Sequence, residues 1–211
     1  MTAISPPVRW LVALAATAVL VVLAVKFVDR PLAEFMHAAS FAQPQFNETM
    51  RIFELFVPIS GVSVLASGLW VAAGYRLARW AEAFMLTGFS LAFGLMSDEL
   101  LLKPMFGRTW PKVLFRDGTY GFFPFHGGDD YLSFPSGHTV FVTSAMAVFW
   151  ILYPRGRPLY ALAVAAIIVS LLATDGHFLG DTIGGVFVGA TAGWITVTLW
   201  RKLLVGKGDA Y

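Results

Sequence analysis

Cysteine is absent from the 211-residue chain, and charge is scarce: Asp, Glu, Lys and Arg together make up 13% of it. The first absence excludes disulfides, zinc–thiolate centres and cysteine nucleophiles, and removes any reading of redox compartment. The second leaves too little polar surface to wet a soluble domain, because 57% of the residues are hydrophobic and the mean hydropathy is +0.70. A net charge of +2, from fifteen basic and thirteen acidic residues, is too small an excess to attract a nucleic acid. Repeats and low-complexity tracts are also lacking, and nothing marks a second domain, so residues 1–211 read as one integral membrane domain.

What the chain has in abundance is long apolar runs. Six are long enough to cross a hydrocarbon layer, which takes roughly 20 helical residues: 8–27, 52–74, 80–101, 137–154, 158–176 and 181–200. The expected fold is therefore all-α, a polytopic bundle of six transmembrane helices. The first run is long for a signal peptide and lacks a clear small-residue cleavage site, so it reads as an uncleaved span. Two connections are short and basic, Arg76 to Arg79 and Arg155 to Arg157, and the tail adds Arg201, Lys202 and Lys207. With Arg9 at the other terminus, these face the cytoplasm by the positive-inside rule. Segments 28–51 and 102–136 and the turn from Asp175 to Asp181 then lie on the outer side, which predicts a plasma (inner) membrane protein whose polar face opens to the periplasm or exterior.

Three polar groups punctuate that outer side. The first is KPMFGRTWP, with Lys103 at the end of the third span and Arg108 in the loop after it. The second, PSGH, places Ser136 and Gly137 at the start of the fourth helix, where Pro135 and a Ser cap fit a helix beginning. Exposed backbone amides there favour an anion, and glycine lets an oxyanion approach the backbone. His138 follows. The third, HFLGD, separates His177 from Asp181 by four residues, one helical turn, so that carboxylate and imidazole share a face. Singly, each has a plain explanation: an interfacial histidine, a Gly-Pro turn, a capping aspartate, a lysine among lipid headgroups. Together on one predicted face they supply a cation, amide donors, a nucleophile with an orienting carboxylate, and a proton donor, which is equipment for phosphoryl transfer.

The order and spacing of KPMFGRTWP, PSGH and HFLGD, from the third span to the sixth, resemble the type 2 phosphatidic acid phosphatase family of lipid phosphate phosphatases. That family is related to vanadium-dependent haloperoxidases and bacterial acid phosphatases. The resemblance implies hydrolysis through a phosphohistidine, with no metal or other cofactor and a membrane lipid as substrate and partner. It implies His177 as nucleophile, Asp181 as the carboxylate that orients it, and His138 as the general acid. Lys103, Ser136 and the Gly137 amide are implied phosphate ligands. Imidazole suits both histidine roles because it exchanges protons near neutral pH.

Two positions depart from the family pattern. Its first motif runs Lys, six residues, Arg, Pro, and here Trp110 stands where the arginine belongs, before Pro111. Its third motif begins Ser-Arg, and here Ser170 is followed by Leu171. Arg108, two residues before Trp110, is the expected substitute on phosphate, with Lys112 and Arg116 behind it. Near the third span, Asp98 is an intramembrane carboxylate, and Glu99 is spaced to pair with Lys103. GFFPFHGGDDYLSF, 121–134, reads as an aromatic belt or a lid, with His126, Asp129 and Asp130 as a candidate cation site.

The leading expectation is a lipid phosphatase acting on a polyprenyl diphosphate such as undecaprenyl diphosphate, on phosphatidylglycerol phosphate, on phosphatidic acid or on a phosphorylated glycolipid. A phosphotransferase using the same histidine, and a non-catalytic phospholipid-binding or transport protein, are the alternatives. Oligomeric state is left open.

Overall fold

The computed structural model describes residues 5–39, 61–62, 64–66, 68–70, 73 and 77–206. The described residues are helical with no strand; two isolated bridges join Arg108 to Phe122 and to Leu132. Among them, four helices are long and apolar enough to cross a membrane: Pro7–Ala38, Arg79–Phe106, Pro154–Ala173 and Leu179–Leu203, with a shorter apolar helix over Gly137–Leu152. That arrangement fits an integral membrane protein. Most of the second predicted span, 52–74, lies outside the described residues.

The first helix, α1 (Pro6–Leu23), begins with an extended Ser5 and a proline in its first turn, where no amide proton is needed. A π turn over Ala24–Val28 leads into α2 (Asp29–Ala38). The helix thus continues well past residue 27, where the apolar run ends. The physical reason is the π turn: it resets the hydrogen-bond ladder, so that Pro31 falls in the opening turn of α2 rather than in a helix interior.

The third span is built alike. It runs through α3 (Arg79–Ser97), a π turn over Asp98–Leu102 and one final turn, α4 (Lys103–Phe106). Gly107 ends it with φ +59, and a Cβ there would lie 1.8 Å from the Phe123 carbonyl oxygen. Only glycine lets the outer loop fold back across the helix end. That loop carries a short helix, α5 (Pro111–Asp117), and returns to α6 (Gly137–Leu152). A 3-10 turn leads on to α7 (Arg157–Ala173), and α8 (Leu179–Gly206) closes the chain.

The centre is α3, α6 and α8. Gly185, Gly189 and Gly193 recur every four residues along α8 against α6; a Cβ on Gly189 would sit 2.8 Å from the Ser144 amide nitrogen and the Val140 carbonyl oxygen. Small residues permit this backbone approach, and dispersion and polar contacts then hold helices that lipid alone would not drive together. Ser90 donates to the Ser144 carbonyl at 3.0 Å. Met85, Leu86, Val148 and Val197 fill the end away from the site. At that same end Arg79 reaches the Leu152 carbonyl, and Trp200 of α8 hydrogen-bonds Glu82 of α3. The basic helix ends therefore gather at one pole of the bundle and the polar motifs at the other.

Candidate active site

At the polar pole, His177 lies in the α7–α8 connection. The connection is held by Leu171, whose carbonyl accepts the amides of Gly176 at 2.9 Å and His177 at 3.3 Å. Leu171, at the position of the family's second arginine, has its side chain buried. Asp181 belongs to the first turn of α8, where an acid suits the positive helix end. Its Oδ2 accepts the Phe178 amide at 2.9 Å and the Ser133 hydroxyl at 2.7 Å. His177 Nδ1 stands 3.4 Å from that same oxygen and 3.4 Å from Ser133 Oγ. With Nδ1 turned to the carboxylate, Nε2 is the ring nitrogen left for a reacting partner.

His138, the second residue of α6, brings its ring centroid to 6.3 Å from that of His177. Both rings line a cavity of about 470 Å³ whose other polar walls are Glu99, Lys103, Trp110 and Gly137. Two imidazoles, a lysine and a glycine thus meet at one space: Lys103 from α4, Gly137 and His138 from the start of α6, and His177 from the turn before α8. A larger groove of about 580 Å³ lies between α1 and α8, but Lys26 is its sole ionisable lining residue. The imidazoles and the lysine ammonium therefore line the smaller cavity.

Lys103 is buried, and its ammonium pairs with Glu99 one turn earlier, as the spacing predicts, and stands 3.7 Å from Asp98. Gly137 is packed against this cluster: a Cβ on it would lie 3.2 Å from both Asp98 and Glu99 carboxylate oxygens and 3.4 Å from the lysine nitrogen. Any larger residue would press on the cation and its acids.

Two expected phosphate ligands stand elsewhere. Ser136 is fully buried as the N-cap of α6, accepting from the Thr139 amide at 3.4 Å and its hydroxyl at 3.1 Å, and does not line the cavity. Capping an otherwise unpaired helix amide occupies its oxygen. Arg108 is also fully buried and faces away from the cavity. It donates to Asp181 Oδ1 at 2.7 Å and to Asp29 Oδ2 at 2.5 Å, between the rings of Phe122 and Phe178 at 4.9 and 4.8 Å. Burial works against its charge, but the Asp181 and Asp29 carboxylates outweigh it and hold the guanidinium's pKa above its ordinary value. Two carboxylates are its partners.

Lys112 and Arg116 do not replace it. Arg116 is exposed and paired with Asp117 and Asp130, and Lys112 lies 5.7 Å from the Trp110 ring centre. Trp110 itself stands beside His177, ring centres 4.8 Å apart, with its Nε1–H donated to the Asp129 carbonyl at 2.7 Å. The arginine's place in the motif therefore holds an aromatic wall. His126 packs on Tyr131 while Asp130 pairs with Arg116, and the described residues contain no cluster of metal-ligating side chains. Asp175 binds His37 Nδ1 at 2.6 Å.

Two residues of this network were not legible as site residues, Ser133 and Asp29. Ser133 borders PSGH and carried no signal of its own. Asp29 stands among Lys26, Arg30 and Glu34, where one more charged residue does not stand out.

Comparison with known proteins agrees with the geometry. The chain is 26% identical to a lipid A 1-phosphatase of Rhizobium johnstonii, over 93% of this chain and 83% of that protein. It is 28% identical to a lipid A 1-phosphatase of Rhizobium etli, over 93% and 88%. No solved structure matches significantly. The family model described as PAP2 superfamily matches residues 83–204, which span α3 to α8 and every cavity residue named above, and the chain belongs to that superfamily.

Proposed function

We propose that this protein is an integral membrane phosphatase that removes a phosphate from a lipid headgroup through a phosphohistidine on His177. The observation that carries the reading is the pair of imidazoles 6.3 Å apart across one cavity, with Asp181 behind the first and Lys103 beside the second. That spacing leaves room for a tetrahedral phosphorus between them.

In the first step His177 Nε2 attacks phosphorus, the bond to the lipid oxygen breaks, and His138 gives its proton to that oxygen. Asp181 holds the His177 ring in the reactive tautomer and offsets the positive charge that the ring gains. Lys103 and the positive N-terminal end of α6 balance charge on the equatorial oxygens. In the second step neutral His138 takes a proton from water, the hydroxide attacks the phosphohistidine, and inorganic phosphate leaves with His177 restored. Positioning and charge complementarity supply the acceleration.

The relatives' substrate supports a phosphorylated glycolipid in preference to a polyprenyl diphosphate. Trp110 beside His177 offers an apolar face against which a sugar ring can stack. The basic pole of the bundle faces the cytoplasm by the positive-inside rule, so the cavity opens to the periplasmic side of the inner membrane. The test measures phosphate release by purified protein from lipid A 1-phosphate, undecaprenyl diphosphate and phosphatidic acid. Release is expected to be fastest with lipid A, and His177→Ala to lower it by on the order of 10⁴-fold. Wild-type release equal to that of His177→Ala on all three lipids overturns the reading.

A further inference from the structure

Asp29, whose buried carboxylate pairs with Arg108, lies outside the superfamily match, which begins at residue 83, and has no part in the chemistry assigned above. Asp29 Oδ2 takes a hydrogen bond from Arg108 Nη2 at 2.5 Å, while Arg108 Nη1 donates to Asp181 Oδ1 at 2.7 Å. All three side chains are fully buried. A second link runs in parallel. Asp29 Oδ1 accepts the Gly180 amide at 2.9 Å, one residue before Asp181. The contact requires glycine, because a Cβ at 180 would stand 2.9 Å from both Arg108 Nη1 and Asp29 Oδ2. A third tie comes from Tyr120, which accepts from Arg108 at 3.3 Å and donates to the Val25 carbonyl in the π turn at 2.8 Å.

We propose that Asp29 is a positioning residue for phosphoryl transfer, acting through Arg108 and the Gly180 amide on Asp181, and so on His177. The inference rests on the phosphohistidine reading and adds to it a residue contributed by the N-terminal helix.

The argument is electrostatic as well as geometric. One guanidinium between two carboxylates leaves the trio with a net charge of −1. Were Asp181 its sole partner, Arg108 would cancel the aspartate's charge at short range, and His177 would face a neutral pair. Asp29 shares the guanidinium, so Asp181 keeps anionic character for the imidazole that becomes cationic during attack. The Gly180 link also fixes the α8 opening turn on which Asp181 rides, and displacing a catalytic group by about 1 Å can cost ~10²-fold in rate.

The test compares wild type, Asp29→Asn, Arg108→Gln and the double variant, with kcat and KM on the best lipid of the panel and thermal unfolding in detergent. Asp29→Asn is expected to lower kcat roughly 10- to 100-fold with KM unchanged. In Arg108→Gln, Asp29 and Asp181 face each other without a cation, so adding Asp29→Asn is expected to raise activity roughly tenfold over Arg108→Gln alone. A residue that only packs predicts losses of the same sign in both backgrounds.

Unchanged kcat per folded molecule in Asp29→Asn overturns the proposal, even if its melting temperature falls. If Asp29→Asn does not fold, the Arg108→Gln pair decides: a double variant no more active than Arg108→Gln overturns it. Wild type inactive on every lipid is a different failure, which removes the phosphatase reading and this inference with it.

Discussion

The inner helices α3, α6 and α8 and the outer helices α1 and α7 are made of similar apolar residues, yet they do different work. In the most apolar stretches of Arg79–Phe106 and Leu179–Leu203, 39% of residues are buried inside the protein; in Pro7–Ala38 and Pro154–Ala173 the share is 11%. The outer helices present Leu, Val and Ala in every direction, with Leu11, Val19 and Leu162 more than half exposed, as a lipid-facing helix does. The inner helices instead carry Gly, Ser and Thr at their contacts, because close backbone approach needs small side chains and buried hydroxyls find carbonyl partners. Function follows the same division, with one exception. Every cavity residue named above comes from the inner helices or their connections, while Asp29 comes from the outer first helix.

That contrast can be broken at graded points. The largest effect is expected at the cavity: His138→Asn should lower kcat by roughly 10²–10⁴-fold, since it removes the proposed proton donor. Pre-steady-state measurement on a lipid with a good leaving group should recover much of the loss, because such an oxygen departs without a proton. Lys103→Gln comes next, with a loss of roughly 10²–10³-fold as the cation proposed for the phosphate oxygens goes. That loss should appear mainly in kcat/KM on the same lipid.

Away from the chemistry, Gly189→Leu should lower stability by about 3 kcal/mol or more, as its first side-chain atom meets the α6 backbone at 2.8 Å. Thermal unfolding in detergent reads this directly. The smallest effect belongs to the outer surface. Leu162→Ala on α7, 65% exposed, should change stability by no more than about 0.5 kcal/mol, with activity intact. A large loss there, or a mild one at Gly189, would reverse the assignment of inner and outer helices.

How much was legible in the sequence follows from the range of each signal. His177 and Asp181 are four residues apart, and PSGH is contiguous, so short-range geometry brings their groups together, although His177 sits in the turn before α8 and not on its face. Glu99 and Lys103 pair by the same rule. The direction of Arg108 is not legible locally, because proximity in sequence to Trp110 says nothing about it: the guanidinium turns inward to carboxylates 79 and 73 residues away. The sequence does not separate a helix-capping serine from an anion-binding one at Ser136, because both occupy the same local position; the contacts with Thr139 show the cap. The extension of the first helix to Ala38 is not legible because the apolar run ends at residue 27, while a π turn carries the helix on past Pro31.

Composition and local order by themselves determined that the chain belongs in a membrane, that its described segments are helical, and which histidines carry the motifs. Hydrophobic length and i to i+4 spacing act over one segment, and nothing distant can alter them. Tertiary structure alone decided which carboxylates Arg108 serves. Asp29, Arg108 and Asp181 lie on three separate elements, and a buried charge takes whichever partner packing delivers, because leaving it unpaired in a low-dielectric interior costs more than any local preference can offset.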